Sequence, residues 1–331
     1  MSVAEKKQTI SSSKEHQKLA DLADALSERV IGQKNLIQNM MICLLCEGHM
    51  LIEGMPGLAK TTAAKTLAEA IEGDFQRIQF TPDLLPSDLI GTDIFLQEKG
   101  VFEFRKGPLF HNIILADEIN RAPAKVQSAL LEAMEERQIS VGMKTYELPP
   151  LYMVLATQNP IEQEGTYSLP EAQLDRFLMH TIVDYPNHDD EYEILNINEG
   201  LVQTQRNAPE HIISQQDIFT ARKQVKDIYI DEKLKHYVVS LVSATRKADE
   251  YNEELASWLF YGASPRATLG IVNAAKAYAW LQSDAYVSPH HIQSVAADIL
   301  RHRIAPTFEA EADGISRGDI IQKLIEVVAV P

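Results

Sequence analysis

The segment HMLIEGMPGLAKTT (residues 49–62) is the most informative about the fold, because it joins an apolar run to a helical pattern through a glycine-containing loop. In a strand–loop–helix unit of this kind, backbone N–H groups and the helix N-terminus form a site for phosphate oxygens. Lys60 would reach the β and γ phosphates of a nucleotide, and the Thr61 hydroxyl would join a Mg²⁺ shell. The strict motif has glycine at position 59, where this chain has alanine, so the loop must accept a Cβ there. A solvated surface lysine is the alternative interpretation of Lys60.

Two carboxylates follow a second apolar segment, IILADE (113–118). Asp117 would hold Mg²⁺ through water, and Glu118 would orient and polarise the attacking water. Phosphoryl transfer mainly needs positioning and charge neutralisation, so these groups predict metal-assisted ATP hydrolysis. A surface Asp–Glu pair is the alternative. The predicted nucleotide contacts of the loop are Gly54, Met55, Pro56, Gly57, Leu58, Ala59, Lys60, Thr61 and Thr62.

Short apolar segments alternate with helical patterns between residues 18 and 187. This alternation predicts an α/β domain with a mostly parallel sheet. Two segments interrupt it, at 93–107 and 139–148, and their pattern predicts β-hairpins. From residue 188 to 331 helical periodicity dominates, which predicts a smaller all-α domain, while the polar residues 1–17 predict a flexible tail. The expected strands are 49–54, 75–80, 112–117, 151–157 and 180–185.

Composition excludes some classes of function. The chain has 331 residues, with 31 Lys and Arg against 47 Asp and Glu, a net charge of −16. Proteins that hold nucleic acid through its phosphates are usually basic or carry a basic face, so nucleic acid is an unfavoured partner, although a local basic patch stays open. No apolar run reaches the roughly 18 residues of a membrane span, and no signal-peptide core is visible near the start. We therefore expect a cytoplasmic protein.

Two further groups of residues have plain structural interpretations. Cys43 and Cys46 form a lone C-x-x-C in an apolar helical pattern, which favours core packing over a redox or metal site. The adjacent His290 and His291 follow Pro289, so we expect both on an exposed helix start.

Six motifs, in this order, resemble the MoxR family of AAA+ ATPases over nearly the whole chain from about residue 25. The resemblance implies a P-loop AAA+ parallel-sheet core followed by an α-helical lid domain. It also implies that the two hairpins are the helix-2 and pre-sensor-1 inserts of the clade that includes magnesium chelatase. The motifs are EGMPGLAKT (53–61), FTPDLLPSDLIGT (80–92), ADEINRAPAKVQSALLEAMEERQ (116–138), ATQNP (156–160), LPEAQLDRF (169–177) and GASPRA (262–267).

The same resemblance implies roles for further residues. Asn159 is similar to sensor 1 near the γ-phosphate, and Arg176 is similar to the arginine finger that reaches a neighbouring subunit's nucleotide. Arg266 is similar to sensor 2, which reaches the phosphates from the lid. It lies in a predicted first helical turn, where a cation opposes the helix dipole unless an anion binds. The segment similar to the adenine contact is Val30, Ile31, Gly32 and Gln33.

Each of these roles has an alternative. Arg176 could form a local ion pair with Asp175, Asn159 could be a turn former before a proline, and Arg266 could form a surface salt bridge. Arg121 is either a second subunit-bridging arginine or a solvated helix start. Gln79 would restrain Glu118 until a partner binds.

The resemblance implies a ring, usually a hexamer, that binds ATP and Mg²⁺ and acts on a protein client. Relatives in this family act as chaperones for proteins with von Willebrand factor A domains, often in metal-cofactor assembly, and the two hairpins are candidates for client contact. Three alternatives stay open. They are a magnesium-chelatase-like motor subunit, a nucleic-acid motor or loader, and a scaffold that binds nucleotide but hardly hydrolyses it.

Overall fold

A computed structural model describes residues 13–142, 144–160, 165–199 and 212–331. The chain divides into two compact units. Among the described residues, the first unit is drawn from 21–177 and 181–215, and the second consists of 13–20, 178–180 and 216–331. The predicted tail lies outside the described residues as far as residue 12, and residues 14–17 form the start of the first helix.

The first unit is built on a five-stranded sheet whose order is β2-β5-β8-β1-β9. The pairings of β2 with β5, β5 with β8 and β8 with β1 are all parallel, which confirms the predicted α/β core. All five residues of β5 are buried, as expected for a strand covered on both faces. The strands in chain order are β1 (Met50–Gly54), β2 (Phe75–Gln79), β3 (Gly91–Leu96), β4 (Val101–Lys106), β5 (Ile113–Asp117), β6 (Gln138–Val141), β7 (Lys144–Glu147), β8 (Met153–Gln158) and β9 (Met179–Val183).

Helices accompany this sheet, as the alternation of apolar segments with helical patterns predicts. Cys43 is buried inside α2 and Cys46 follows it half-buried, and both are free thiols, in agreement with the packing interpretation. Leu51, Ile114 and Val154 from three neighbouring strands share one hydrophobic cluster. The helices are α1 (Lys14–Ser27), α2 (Lys34–Leu45), α3 (Lys60–Ala70), α4 (Pro86–Ile90), α5 (Ala124–Glu136), α6 (Glu171–Leu174) and α7 (His188–Asn198).

Both predicted hairpins are present as antiparallel pairs, β3 with β4 and β6 with β7. Gly91 begins β3 with φ 106°, and a Cβ there would lie 2.2 Å from the carbonyl oxygen of Arg105, so only glycine fits the base of this hairpin. The ring of Phe104 on β4 stacks on that of Tyr146 on β7, with centroids 4.4 Å apart. The two inserts therefore support one another.

The change to helical periodicity after residue 187 predicts a domain boundary there, but the first unit continues beyond this residue. Ile213 forms a parallel bridge with Ile71, and its N–H donates to the carbonyl of Ala70. The Gln215 side chain donates to the carbonyl of Glu72 at 2.9 Å. These contacts place the division after residue 215.

The second unit is helical, as predicted, apart from one short strand pair. The side chains of Asp231 and Ser264 cap the helices that follow them, and Pro265 occupies the first helical position. Its elements are α8 (Gln215–Lys226), α9 (Glu232–Ala244), α10 (Glu253–Trp258), β10 (Leu259–Tyr261), α11 (Pro265–Leu281), α12 (Pro289–Leu300), β11 (Ala305–Pro306), α13 (Phe308–Ala312) and α14 (Arg317–Val327).

The histidine pair at the start of α12 differs from the prediction in one member. His290 is exposed, but His291 is buried, so the prediction is wrong for His291. Its Nδ1 accepts from the Ser288 N–H at 3.0 Å, and its Nε2 lies 3.2 Å from Asp284. The ring therefore completes the cap of α12 rather than facing solvent, and its burial lowers the pKa of His291. Separately, no helix within the described ranges is long and apolar enough to cross a membrane.

Candidate functional site

The loop at residues 54–61 connects β1 to α3, as predicted, and it depends on left-handed backbone at two positions. Gly57 has φ 85°, and Ala59 has φ 56° and ψ 12°. An L-residue pays about 1–2 kcal/mol for this conformation, whereas glycine adopts it freely. The alanine that departs from the strict motif is therefore accepted at a cost in backbone strain.

Two more features fix the shape of the loop. Gly54 is buried, and a Cβ there would lie 2.6 Å from the carbonyl oxygen of Val183. Lys60 is the first residue of α3, and its Nζ donates to the carbonyl of Gly54 and, at 3.4 Å, to that of Gln158. The ammonium group thus lies over the backbone of its own loop, where a phosphate would be an alternative partner.

Asp117 and Glu118 lie at the carboxyl end of β5, and a threonine that sequence reasoning missed holds both. The Thr157 hydroxyl donates to Oδ1 of Asp117 at 2.6 Å and accepts from the Glu118 N–H at 2.9 Å. Thr157 is buried, near the end of β8, where it neighbours β5. Thr157 is the last residue of the expected strand 151–157, and this position at a strand end is the sequence feature that could have indicated a site residue.

The Glu118 backbone is strained, with φ 57° and ψ 51° in a residue that is not glycine. Such strain costs about 1–3 kcal/mol and is characteristic of functional sites. Its Oε2 accepts from Gln79 Nε2 at 2.7 Å and from Arg121 Nη1 at 3.0 Å. The contact with Gln79 is the one that the predicted restraint of Glu118 requires. Arg121 forms an ion pair with Glu118 of its own chain rather than reaching away from it.

Asn159 follows β8 and is 6 % exposed, so it is more than a surface turn former. It lines a cavity of about 280 Å³ together with Glu53, the last β1 residue before Gly54, and Gln158. The remaining lining residues are Asn120, Pro160, Thr166, Ser168, Leu169 and Leu174. The cavity therefore opens at the strand ends where the loop and the carboxylates lie.

The two arginines that the resemblance singled out, Arg176 and Arg266, lie in different units of the chain. Arg176 Nε pairs with Oε2 of Glu135 on α5 at 2.8 Å, and each side chain is about a third exposed. Arg266 is exposed in the first turn of α11, in the second unit, where its N–H donates to the capping Ser264 hydroxyl.

The segment predicted to contact adenine links α1 to α2. Val30 is buried, Ile31 is half-buried, and Gly32 has φ 76°. A Cβ on Gly32 would lie 2.8 Å from Oδ2 of Asp190. Gln33 Nε2 donates to the carbonyl of Asp184 at 2.9 Å. The segment is therefore attached to the chain that follows β9.

The donor set at this edge of the sheet fits Mg²⁺. The ion prefers oxygen ligands, and protein sites usually supply one or two carboxylates while phosphates and water complete the shell. Thr61 and Asp117 offer a hydroxyl and a carboxylate, and Asp117 is largely buried. Within the described residues no cluster of three or more His, Cys, Asp or Glu could hold a metal by protein ligands alone. A nucleotide-bound Mg²⁺ is therefore the ion that these groups suit.

Comparison with known proteins defines the class first. The model of the ATPase family associated with various cellular activities (AAA) matches residues 49–179, and the model of the AAA lid domain matches residues 256–324. The first match starts one residue before β1 and ends as β9 begins. The chain is therefore an ATPase with an AAA core and an AAA lid.

Individual relatives narrow the class to one family. The chain is 46 % identical to Chaperone MoxR1 of Mycobacterium tuberculosis over 91 % of its length and 79 % of that protein. It is 32 % identical to Protein MoxR of Paracoccus denitrificans, covering 91 % and 93 % of the two chains. A crystal structure from Cytophaga hutchinsonii, assigned as an ATPase, matches with a TM-score of 0.88 and 46 % identity over 99 % of this chain and 98 % of that one. This chain belongs to the MoxR family of AAA+ ATPases.

Proposed function

We propose that this chain is a Mg²⁺-dependent, ring-forming ATPase that remodels or matures protein clients. One observation supports ATP hydrolysis in particular. The end of strand β8 contacts both the phosphate loop and the carboxylate of Asp117. Lys60 reaches the carbonyl of Gln158, and the preceding residue Thr157 holds Asp117. The phosphate loop and the metal-binding carboxylate therefore meet at one strand end.

The residues have distinct roles in this proposal. The loop N–H groups and Lys60 bind the phosphates, and Thr61 and Asp117 hold the metal, which supplies charge neutralisation on the nucleotide. Glu118 orients the attacking water. Its carboxylate accepts hydrogen bonds from Gln79 and Arg121, so it must leave these partners to reach the water. Asn159 would contact the same water from the end of β8.

The proposal of a ring rests on the proposed role of Arg176. Its partner Glu135 is on α5 of the same chain, and the pair is partly exposed. If Arg176 completes the site of a neighbour, the contact between subunits is head-to-tail, and such a contact can close into a ring. We propose a hexamer, with Arg266 contacting the phosphates from the lid and residues 30–33 contacting adenine.

Protein clients would be contacted by the β3–β4 hairpin. Phe95 and Phe102 are 49 % and 71 % exposed, and their ring centroids lie 5.1 Å apart. Exposed apolar patches of this kind mark interaction sites. A relative is named a chaperone, and we propose the same role here, with von Willebrand factor A domains as the client class.

The competing functions are less well supported. Segment 93–107 contains three acidic and three basic residues, so the hairpin has no net positive charge with which to hold nucleic acid. A nucleotide scaffold without hydrolysis would not need the Asp117–Glu118 pair. A magnesium-chelatase-like motor would share this site and differ in its client. A cytoplasmic location stays a prediction.

The test of client contact is ATPase stimulation by a purified von Willebrand factor A domain. We expect stimulation of the wild type, loss of stimulation in the Phe95→Ser/Phe102→Ser double variant, and no loss in Phe308→Ser. Phe308 is the matched control, since it is 82 % exposed but lies in the second unit. Deletion of residues 94–105 should also abolish stimulation while sparing nucleotide binding. Equal stimulation of all variants would contradict the role of the hairpin.

A further inference from the structure

The second oxygen of Asp117 is occupied by an arginine that no motif identifies. Arg77 lies on β2, and its Nη2 and Nε lie 2.6 Å and 3.1 Å from Oδ2 of Asp117. Thr157 holds Oδ1, so both oxygens of the carboxylate have hydrogen-bond partners within the chain. Two donors on one oxygen form a strong charge-assisted contact.

The contact follows from the register of the sheet. Gln79 is directly opposite Asp117, and Arg77 is opposite Leu115, two residues earlier on each strand. Residues two apart on a strand share a face, so Arg77 can reach Asp117 along the diagonal. β2 is the outer strand of the sheet, and half of the Arg77 side chain is exposed, against 12 % for Asp117. The guanidinium group can therefore leave toward solvent.

The arginine is also connected to the second carboxylate. Arg77 Nη2 donates to Oε1 of Gln79 at 3.3 Å, and Gln79 Nε2 donates to Oε2 of Glu118 at 2.7 Å. One amide group thus contacts both the cation on Asp117 and the carboxylate of Glu118. A change at Arg77 alters what the Gln79 side chain can hold.

We propose that Arg77 is an internal counter-ion that competes with Mg²⁺ for Asp117. The inference rests on the proposed function, in which Asp117 holds the metal through water. A largely buried carboxylate is costly without an opposite charge, so Arg77 stabilises the site before metal arrives. A divalent cation repels the guanidinium group, so both cannot occupy the same side of Asp117.

Two consequences follow from this competition. The metal must displace Arg77, so a higher Mg²⁺ concentration is needed than Asp117 alone would require. Displacement also removes one partner of Gln79, which frees the amide to release Glu118. Arg77 is therefore a positioning residue that links metal arrival to the catalytic carboxylate.

The test is a Mg²⁺ titration of the full-length chain with a fluorescent ADP analogue, comparing wild type with Arg77→Gln. We expect the half-saturating Mg²⁺ concentration to fall at least threefold in the variant. Damage to the site would weaken metal binding, so tighter binding separates competition from a structural defect. The control is Arg105→Gln, which makes the same charge change at an exposed arginine of the hairpin. An unchanged or higher midpoint in Arg77→Gln, or an equal fall in Arg105→Gln, overturns the inference.

A second readout is the melting temperature in EDTA and in Mg²⁺ with ADP. We expect Arg77→Gln to melt below wild type in EDTA, because Asp117 loses its counter-ion, and the difference to close when metal and nucleotide bind. An equal difference in both conditions would contradict competition. If wild type itself shows no Mg²⁺-dependent nucleotide binding, the proposed function fails. If it does, and only the midpoint of the variant is unchanged, this inference alone fails.

Discussion

Thr157 and Asp117 are joined across β8 and β5 by a 2.6 Å hydrogen bond between a hydroxyl and a carboxylate oxygen, both largely buried. The same hydroxyl accepts the N–H of Glu118. One side chain thus fixes the metal-binding carboxylate and the backbone of the residue that orients water.

Thr157→Val keeps the shape of the side chain and removes the hydroxyl. Because a largely buried carboxylate oxygen and a part-buried N–H lose their partner, we expect a loss of about 1–2 kcal/mol in the free energy of unfolding. We expect kcat to fall by at least about tenfold, since small misplacements of catalytic groups are costly. Urea unfolding and steady-state ATPase assays measure the two effects. Thr157→Ser retains the hydroxyl and should keep most activity; a valine variant as active as the serine variant would exclude the positioning role.

Ala59→Gly should stabilise the chain by about 1 kcal/mol. Ala59 has φ 56°, and removal of its Cβ relieves the left-handed strain by more than glycine loses in chain entropy. Gly57→Ala is the reciprocal control, because Gly57 has φ 85° and a Cβ there would meet no atom within 4 Å. That variant should lose about the same amount through strain alone. Thermal unfolding without nucleotide checks both, and a destabilised Ala59→Gly would show that the strain is absent.

His49 should make stability depend on pH. It is fully buried, and burial, followed by the charge of Arg137, lowers its pKa to about 3. Its Nδ1 accepts from the Val154 N–H, and its Nε2 faces the carbonyl of Met134. The folded state therefore keeps the ring neutral, while the unfolded state binds a proton below its ordinary pKa near 6.5.

The sign follows from proton uptake by the unfolded chain. The contribution of His49 is complete above pH 6.5 and declines as pH falls toward the folded pKa of about 3. Between pH 7 and pH 5 we expect a loss of about 2 kcal/mol in the free energy of unfolding. His49→Asn preserves an acceptor but cannot titrate, so its pH slope should be smaller. His188→Asn, at a histidine that is 95 % exposed, should retain the wild-type slope. Parallel slopes in all three chains would refute the assignment to His49.

Glu135→Gln should ease the release of Arg176. A partly exposed ion pair contributes at most about 1 kcal/mol, so its loss should lower the protein concentration for half-maximal ATPase activity by up to about fivefold. Glu136→Gln removes the same charge from the next, exposed residue of α5 and should have no such effect. A rise in the half-maximal concentration in Glu135→Gln would show that Glu135 positions Arg176 for the neighbour instead of restraining it.

Local sequence patterns are sufficient to predict much of the fold. Apolar runs bounded by turn residues predict all five strands of the sheet. The phosphate loop and the paired carboxylates could be predicted because each is a contiguous motif. The extent of the first unit could not, because it depends on contacts of Ile213 and Gln215 with residues 70–72, far away in sequence.

The sequence patterns also do not predict which side chains contact the site residues. Arg77 and Thr157 are ordinary strand residues until the register of β2, β5 and β8 brings both to Asp117. Glu135 is on a helix, and only the packed chain places it against Arg176, where the sequence suggested Asp175. The local pattern predicts an exposed His291, whereas the folded chain buries its ring beside Tyr278 of α11, a contact between residues on different helices.

We propose that the catalytic site is shared between subunits, and Mg²⁺-dependent ATP hydrolysis across a range of protein concentrations tests this. Glu118→Gln and Arg176→Ala are measured beside wild type, with nucleotide binding as the control for folding. We expect specific activity that rises with concentration, and two variants that bind nucleotide but do not hydrolyse it. Activity that is independent of concentration, together with a normal Arg176→Ala variant, would contradict it and show a nucleotide site complete within one chain.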